Sequence, residues 1–343
     1  MVHCEYTDRY GYLAGVSRHR PDTVAAVVLV VCWSSGFVGA ELATRGAPVA
    51  TVLAWRTLLA AVLLGGWALA RRDRVPPASL LRQACLGLLV QAVYLGGVFA
   101  AAGAGVSAGT SALVAALQPL LVAALAGRFL GERTSGRQRA GLLIGAGGVA
   151  LVVVGDLGAG GAPPLAFLLP VAALAGLSAG TLLQRRWGSA ESLVVSLAVQ
   201  SAAAAVVFGT VAGVRGEFAP PGDAAFWGAM AWLVLLSTLG GYGSYLFVVR
   251  RSGATRASTL LYLTPPATAA WAWAMFGQAP GPTALPGLAV CAVGVALVLH
   301  SARAAAPDRS PDVEGPRARQ ERADPGHLPD PQQEPGALGA GRQ

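Results

Sequence analysis

The chain has 343 residues, of which 54% are hydrophobic and 12% charged, against about 25% charged in a soluble domain. Its net charge of +8 comes from 25 basic residues, every one an Arg, and most of these flank apolar runs, which is a topology signal and not a nucleic-acid footprint. The runs are about 20 residues long and do not alternate with polar positions, which excludes an outer-membrane barrel and predicts spanning helices.

Residues 1–20 are polar and mixed, an N-terminal segment outside the bilayer. Apolar runs follow near 22–40, 50–70, 80–100, 105–126, 139–155, 166–184, 192–213, 226–248, 256–276 and 284–300. The first could alone pass for a signal peptide, but nine more follow it, so it reads as a retained span. The expected fold is an all-α membrane protein of ten transmembrane helices. Residues 301–343 lose large apolar side chains and carry six Arg against seven acids, the composition of a disordered, solvated tail. Cys4, Cys32, Cys85 and Cys291 show no metal or redox spacing.

Arg placement orients the spans. With the N-terminus inside, the inner side holds Arg9, Arg18, Arg20, Arg71, Arg72, Arg74, Arg82, Arg128, Arg133, Arg137, Arg139, Arg185, Arg186, Arg250, Arg251, Arg256 and Arg303. The outer side holds Arg45 and Arg215, so the ratio is 17 to 2. The positive-inside rule then places both termini in the cytoplasm of a multi-pass cell (inner or plasma) membrane protein.

Shifting the chain by 146 residues superposes its halves. Leu117–Pro119 overlies Leu263–Pro265, Gly131-Glu132 overlies Gly277-Gln278, Gly141-Leu142 overlies Gly287-Leu288, and Gly148–Val152 overlies Gly294–Val298. Pro and Gly matches at one offset are costly by chance even in this composition. The repeats are 21–155 and 166–300, each with five spans. Five is odd, so the second repeat enters the membrane inverted, a construction of many secondary transporters, with the substrate site at the repeat interface.

These residues also carry a family resemblance. Trp33-Ser34-Ser35-Gly36-Phe37 in the first span, Trp55-Arg56-Thr57 in the second, and Gln118-Pro119 followed by Phe129-Leu130-Gly131-Glu132-Arg133 belong to it. So do Arg256-Ala257-Ser258, Tyr262-Leu263-Thr264-Pro265 and Trp271. Together, over about 22–300, the chain resembles the EamA-type transporters of the drug/metabolite transporter superfamily. The resemblance implies transport of a small organic metabolite, amino acid or drug-like compound. Two positions depart from the family pattern: Glu41 where Lys is frequent, and Gln278 where Gly-Glu is frequent.

Arg56 is the one charge well inside a span, and a charge in hydrocarbon must face the bundle interior. It reads either as an anchor for a substrate carboxylate or as a structural Arg reaching the outer boundary, Glu41 or Asp156. Pro119 and Pro265 interrupt spans four and nine at equivalent places and free backbone carbonyls. With Gln118 and Thr264 they read as a pair of kinked helices framing the pathway. Trp33, Ser34, Ser35, Gln91, Tyr94, Tyr242, Tyr245, Tyr262 and Trp271 are further pathway candidates, with Gln200 as a weaker one, against interfacial belts and interhelical bonds. Trp67, Trp187 and Trp227 sit near span ends as belt residues. Gly105/Gly109, Gly141/Gly145 and Gly176/Gly180 suit close helix packing.

No catalytic constellation, phosphate-cradling loop, cofactor motif or metal set is present, so the expectation is ATP-independent transport. Glu41 is the only carboxylate placed to contribute to ion coupling. The expected partners are a small-molecule substrate and the lipid bilayer, with no nucleic acid; a homodimer stays open. The competing reading is a non-transporting receptor or membrane enzyme on the same bundle.

Overall fold

A computed structural model describes the backbone of residues 6–304 apart from 74–75, 131–135, 159–160, 189–190, 253–256 and 258–259, and most side chains over 23–297. Contacts divide the chain after Ser301, and the first unit holds the helical bundle. The expected tail falls almost wholly outside the described residues, as do Cys4, most of the Phe129–Arg133 motif, Arg256 and Ser258.

Among the described residues, ten helices succeed one another. α1 is Tyr6–Gly46, so the helix runs back through most of the polar N-terminal segment. α2 is Val49–Ala70. α3 is Pro77–Gly103, with a π-helical stretch at Leu88–Val93. α4 is in two pieces, Ala108–Ala115 and Gln118–Leu130. α5 is Gly136–Gly158. α6 is Leu168–Trp187, entered through a 3-10 turn at Pro164–Phe167. α7 is Leu193–Val214. α8 comprises Ala224–Ala231, a π-helical stretch Trp232–Gly240, and Gly241–Ser252. α9 is Thr264–Phe276 and α10 is Ala284–Ala304. α1 to α8 each hold a stretch long and apolar enough to cross a bilayer; α9 and α10 complete the count expected from the ten apolar runs.

The ends of these helices are chemically marked. Ser107, Ser192 and Asp223 accept from Thr110 N, Val195 N and Phe226 N, capping α4, α7 and α8. Such caps satisfy amides that have no partner within the helix. α9 stops at Gly277 with φ +67°, a left-handed geometry that Gly adopts without a Cβ penalty.

The pairing of helices obeys a two-fold relation between the repeats. α2 packs on α7 and α4 on α9, while α1 packs on α8 as α6 packs on α3. The α5–α10 contact shows the relation atom by atom. A methyl on Gly148 would lie 2.7 Å from Gly287 O, and one on Gly294 would lie 2.5 Å from Gly141 O. These two contacts interchange under the 146-residue shift. On the same interface, Cys291 Sγ donates to Gly145 O at 3.2 Å, joining two equivalent positions. With no hydrophobic drive between helices in lipid, backbone approach at small residues is what holds them. Gly176 and Gly180 do the same against Val93 and Val90 of α3. Gly105 does not: it lies beyond the end of α3 with φ +90°, against Gly161 O.

Local irregularities repeat too. The two π-helical stretches, Leu88–Val93 in α3 and Trp232–Gly240 in α8, overlap under the same shift. Turns at 116–117 and 262–263 break α4 and the run into α9 at the same repeat position. Leu117 N donates to Val114 O and Leu263 N to Leu260 O, at 3.1 and 3.0 Å. Each break therefore precedes its proline by two residues. Pro119 and Pro265 stand second in the helix that resumes, where a missing N–H costs little.

Candidate functional site

A cavity of about 560 Å³ lies at the two breaks. α4 contributes Ala112, Ala115, Ala116, Gln118 and Pro119, and the turn before α9 contributes Leu261, Tyr262 and, at its end, Thr264. Ala115 and Leu261 each lie four residues before a proline, so their carbonyls lack the amide that would cap them in an unbroken helix. α1 supplies Trp33 and Phe37, α3 Val90 and Tyr94, α6 Leu177, Thr181, Gln184 and Arg185, and α8 Tyr242 and Tyr245. Both repeats build the wall. Its rim reaches Arg185 in the last turn of α6, at the Arg-rich end of the bundle.

Aromatic faces dominate one side. Trp33 meets Tyr242 edge-on at 5.5 Å and Tyr245 at 5.7 Å. Polar groups stand among them: Gln118 Nε2 donates to Thr181 Oγ1 at 3.0 Å, Gln184 and Arg185 add an amide and a charge, and the buried Thr264 Oγ1 has no partner. A pocket that sets polar groups among aromatic and aliphatic faces suits a small organic molecule.

Of the residues singled out in the sequence, Trp33, Tyr94, Gln118, Pro119, Tyr242, Tyr245, Tyr262 and Thr264 share this cavity. The others are placed elsewhere. Ser34 and Ser35 donate to Val31 O and Cys32 O of their own helix, at 3.1 and 2.7 Å. Gln91 Nε2 donates to Ser201 Oγ at 3.1 Å, tying α3 to α7. Gln200 donates to Gln83 at 2.7 Å, and Gln83 in turn to Glu191. Trp271 packs edge-on against Trp232 at 5.4 Å. Pro265 lines a second cavity, of about 250 Å³, with Asp156, Thr110 and Gln278.

Arg56 sits behind the aromatic wall. Two small chambers, of about 60 and 30 Å³, flank it, and the larger shares Trp33, Phe37, Tyr94 and Tyr242 with the main cavity. The residue is 7% exposed. Its Nη2 donates to Thr238 Oγ1 at 3.4 Å, and its guanidinium carbon lies 5.2 Å from the Phe99 ring centre. Nε and Nη1 have no partner. The reach to Glu41 or Asp156 expected from the sequence is not made. Asp156 instead accepts from Ser107 at 3.1 Å and from Thr110.

The two departures from the family pattern meet. Gln278 Nε2 donates to Glu41 Oε1 at 2.5 Å, across 237 residues of chain. Arg45 Nη2 donates to the same oxygen at 2.6 Å and its guanidinium lies 3.9 Å over the Phe276 ring. This cluster ties α1 to the end of α9 at the Arg-poor end. A buried cluster including Phe37, Leu53, Phe99, Phe208, Phe226, Met230 and Leu233 helps fill the bundle.

The sequence did not point to Phe37, Thr181, Gln184 and Arg185 as cavity residues, nor to Thr238 as the partner of Arg56. Thr181 lies three residues before Gln184 on one helix face, a polar pair in an apolar run that could have been noticed. Thr238 carried no such signal, because a π-helical stretch shifts the face it would otherwise present.

The chain matches the EamA-like transporter family twice, over residues 23–154 and 164–300. It is 27% identical over 247 residues to the "Uncharacterized inner membrane transporter YedA" of Escherichia coli (strain K12), covering 70% of this chain and 78% of that protein. It is 30% identical over 287 residues to the "Probable terminal-alkyne amino-acid exporter" of Streptantibioticus cattleyicolor, covering 80% and 92%. The "Probable amino-acid metabolite efflux pump" of Escherichia coli (strain K12) is 28% identical over 185 residues, 53% of this chain and 60% of that one. A solved crystal structure superposes with a TM-score of 0.59 at 21% identity, over 83% of this chain and 98% of that chain, a likeness of fold.

Proposed function

Because the chain belongs to the EamA-like transporter family, a family of multi-pass membrane transporters, we propose that it exports or exchanges a small organic metabolite by alternating access, without ATP. The observation that carries this is the 560 Å³ cavity at the paired helix breaks, walled by both repeats. In an inverted-repeat protein such a cavity is the substrate site, and rocking of one repeat against the other exposes it to each side in turn. The cavity reaches the Arg-rich end, which the positive-inside rule assigns to the cytoplasm. At the other end Gln278, Glu41 and Arg45 hold α1 to the end of α9. This arrangement corresponds to an inward-facing state with its outer gate closed, and both termini lie in the cytoplasm.

Related exporters of amino-acid compounds favour an amino acid or a similar metabolite as cargo. Purified protein in sealed lipid vesicles, loaded with a panel of labelled amino acids, tests the proposal. Efflux faster than from protein-free vesicles, without nucleotide, is expected for at least one of them. Tyr262→Ala, on the cavity wall, is expected to change that rate. Vesicles that release no panel member faster than the protein-free control would refute the proposal.

A further inference from the structure

Arg56 is the least satisfied charge in the described part of the bundle. A guanidinium has five donor hydrogens and keeps its charge at any physiological pH. Here one nitrogen makes a single long bond of 3.4 Å to a neutral hydroxyl, and the other two have none. A charge held in a low-dielectric interior needs an opposite charge or a dense set of acceptors. No opposite charge stands beside it: the lining of the two flanking chambers includes no Asp or Glu, only the neutral polar groups of Thr57, Gln91, Tyr94, Ser237, Thr238 and Tyr242. The wall of the main cavity includes no Asp or Glu either, and adds a second cation, Arg185.

We infer that Arg56 receives the carboxylate of the transported molecule in the 60 Å³ chamber beside the main cavity. This rests on the transport reading above and names the substrate class of the same site. The chamber has room for a small polar head such as a carboxylate. Trp33, Phe37, Tyr94 and Tyr242 line both spaces, so a molecule whose acid reaches Arg56 between these rings keeps its body against them in the main cavity. Nε and Nη1 each share an edge of the guanidinium with Nη2, and Nη2 makes only one hydrogen bond, to Thr238, so one edge keeps the two parallel donors that a carboxylate accepts as a pair. Thr264 Oγ1, buried and unpartnered on the cavity wall, offers a further bond to a polar group on the body. The same charge balance rejects molecules whose only charge is positive.

Four compounds share a phenyl ring and a two-carbon arm and separate the contributions. Phenylalanine has the carboxylate and the ammonium, 3-phenylpropionate the carboxylate alone, and phenylalaninamide and phenethylamine the ammonium alone. Thermal unfolding of the purified protein in lipid nanodiscs reads binding, since a ligand of the folded state raises the melting temperature. Both acids at millimolar concentration are expected to raise it and the two amines are not. Arg56→Gln is expected to weaken the acids about tenfold or more, the usual worth of a charge-assisted bond. If that variant fails to fold, Arg56→Lys keeps the charge without the fork and is expected to weaken them by a smaller factor.

Equal stabilisation by the amines, no stabilisation by either acid, or undiminished acid binding by a folded Arg56→Gln would overturn the assignment. Efflux of the same four compounds is scored separately. Flux of the amines but not the acids removes the carboxylate assignment and leaves transport standing. Acids that bind through Arg56 but never cross remove transport and leave the Arg56 site standing.

Discussion

Replacing Gln278 by Glu puts a second carboxylate against Glu41 and should open the outer gate. In the wild type Gln278 Nε2 donates to Glu41 Oε1 at 2.5 Å, a bond to a charged group worth about 1.5–3 kcal/mol. The variant loses that bond and gains a like charge. Two carboxylates about 4 Å apart repel by roughly 4 kcal/mol at an effective dielectric of about 20. Arg45 offsets part of this, but its side chain is 52% exposed while that of Glu41 is 9% exposed, so solvent weakens its share. These losses come to about 5.5–7 kcal/mol; Arg45 and proton uptake by one of the two carboxylates remove about half, which leaves about 3 kcal/mol, close to a hundredfold shift from the closed towards the open gate at 1.36 kcal/mol per decade. The assay labels an Ala115→Cys variant with a membrane-impermeant maleimide from the Arg-poor side of sealed vesicles, with the native cysteines replaced by Ala. Ala115 lies on the cavity wall, so labelling should be slow with Gln278 and much faster with Gln278→Glu. Adding Glu41→Lys restores opposite charges and should slow it again. Equal rates for Gln278 and Gln278→Glu, or no rescue in the double variant, would refute the gate.

Packing and caps set three further outcomes. Gly148→Ala and Gly294→Ala each drive a methyl to within 2.7 and 2.5 Å of a carbonyl oxygen on the facing helix, so each should cost about 1–3 kcal/mol of stability; as two-fold mates they should cost alike in thermal unfolding. Gly147→Ala, with open space around it, should be neutral or slightly stabilising, which separates packing from helix propensity. Thr110→Val removes a hydroxyl that donates to Asp156 and should cost about 1 kcal/mol, read in the same unfolding assay, while Ser107→Ala loses the α4 cap as well and should cost more.

The spacing of apolar runs and the 146-residue offset made the ten helices and their two-fold relation legible in the chain itself. A span must be about 20 residues of apolar chain, and a duplicated Pro or Gly keeps its place because the backbone needs it there. The same offset located the breaks at 116–117 and 262–263 to within two residues. The offset could not say that the break comes before the proline, since a Pro near the start of a helix and one inside it look alike in sequence.

Which polar residues face the cavity was decided by the tertiary structure alone. In a soluble helix a polar face marks the solvent side, but here lipid and protein interior both favour apolar side chains, so the pattern along a span is nearly silent. Ser34 and Ser35 looked like cavity residues and satisfy themselves on their own helix. Trp271 looked like one and packs on Trp232. Arg56 was marked by its charge, yet its lack of an acidic partner shows only when α2, α3 and α8 close around it. Glu41 and Gln278 were marked as departures from a family pattern, and only the fold shows that they touch. Sequence composition and period determined that the chain crosses a membrane ten times in two related halves. The packing of those halves decided which of its polar atoms are left unpaired and where they lie, because in a largely apolar chain only the neighbours of a group reveal whether it is satisfied.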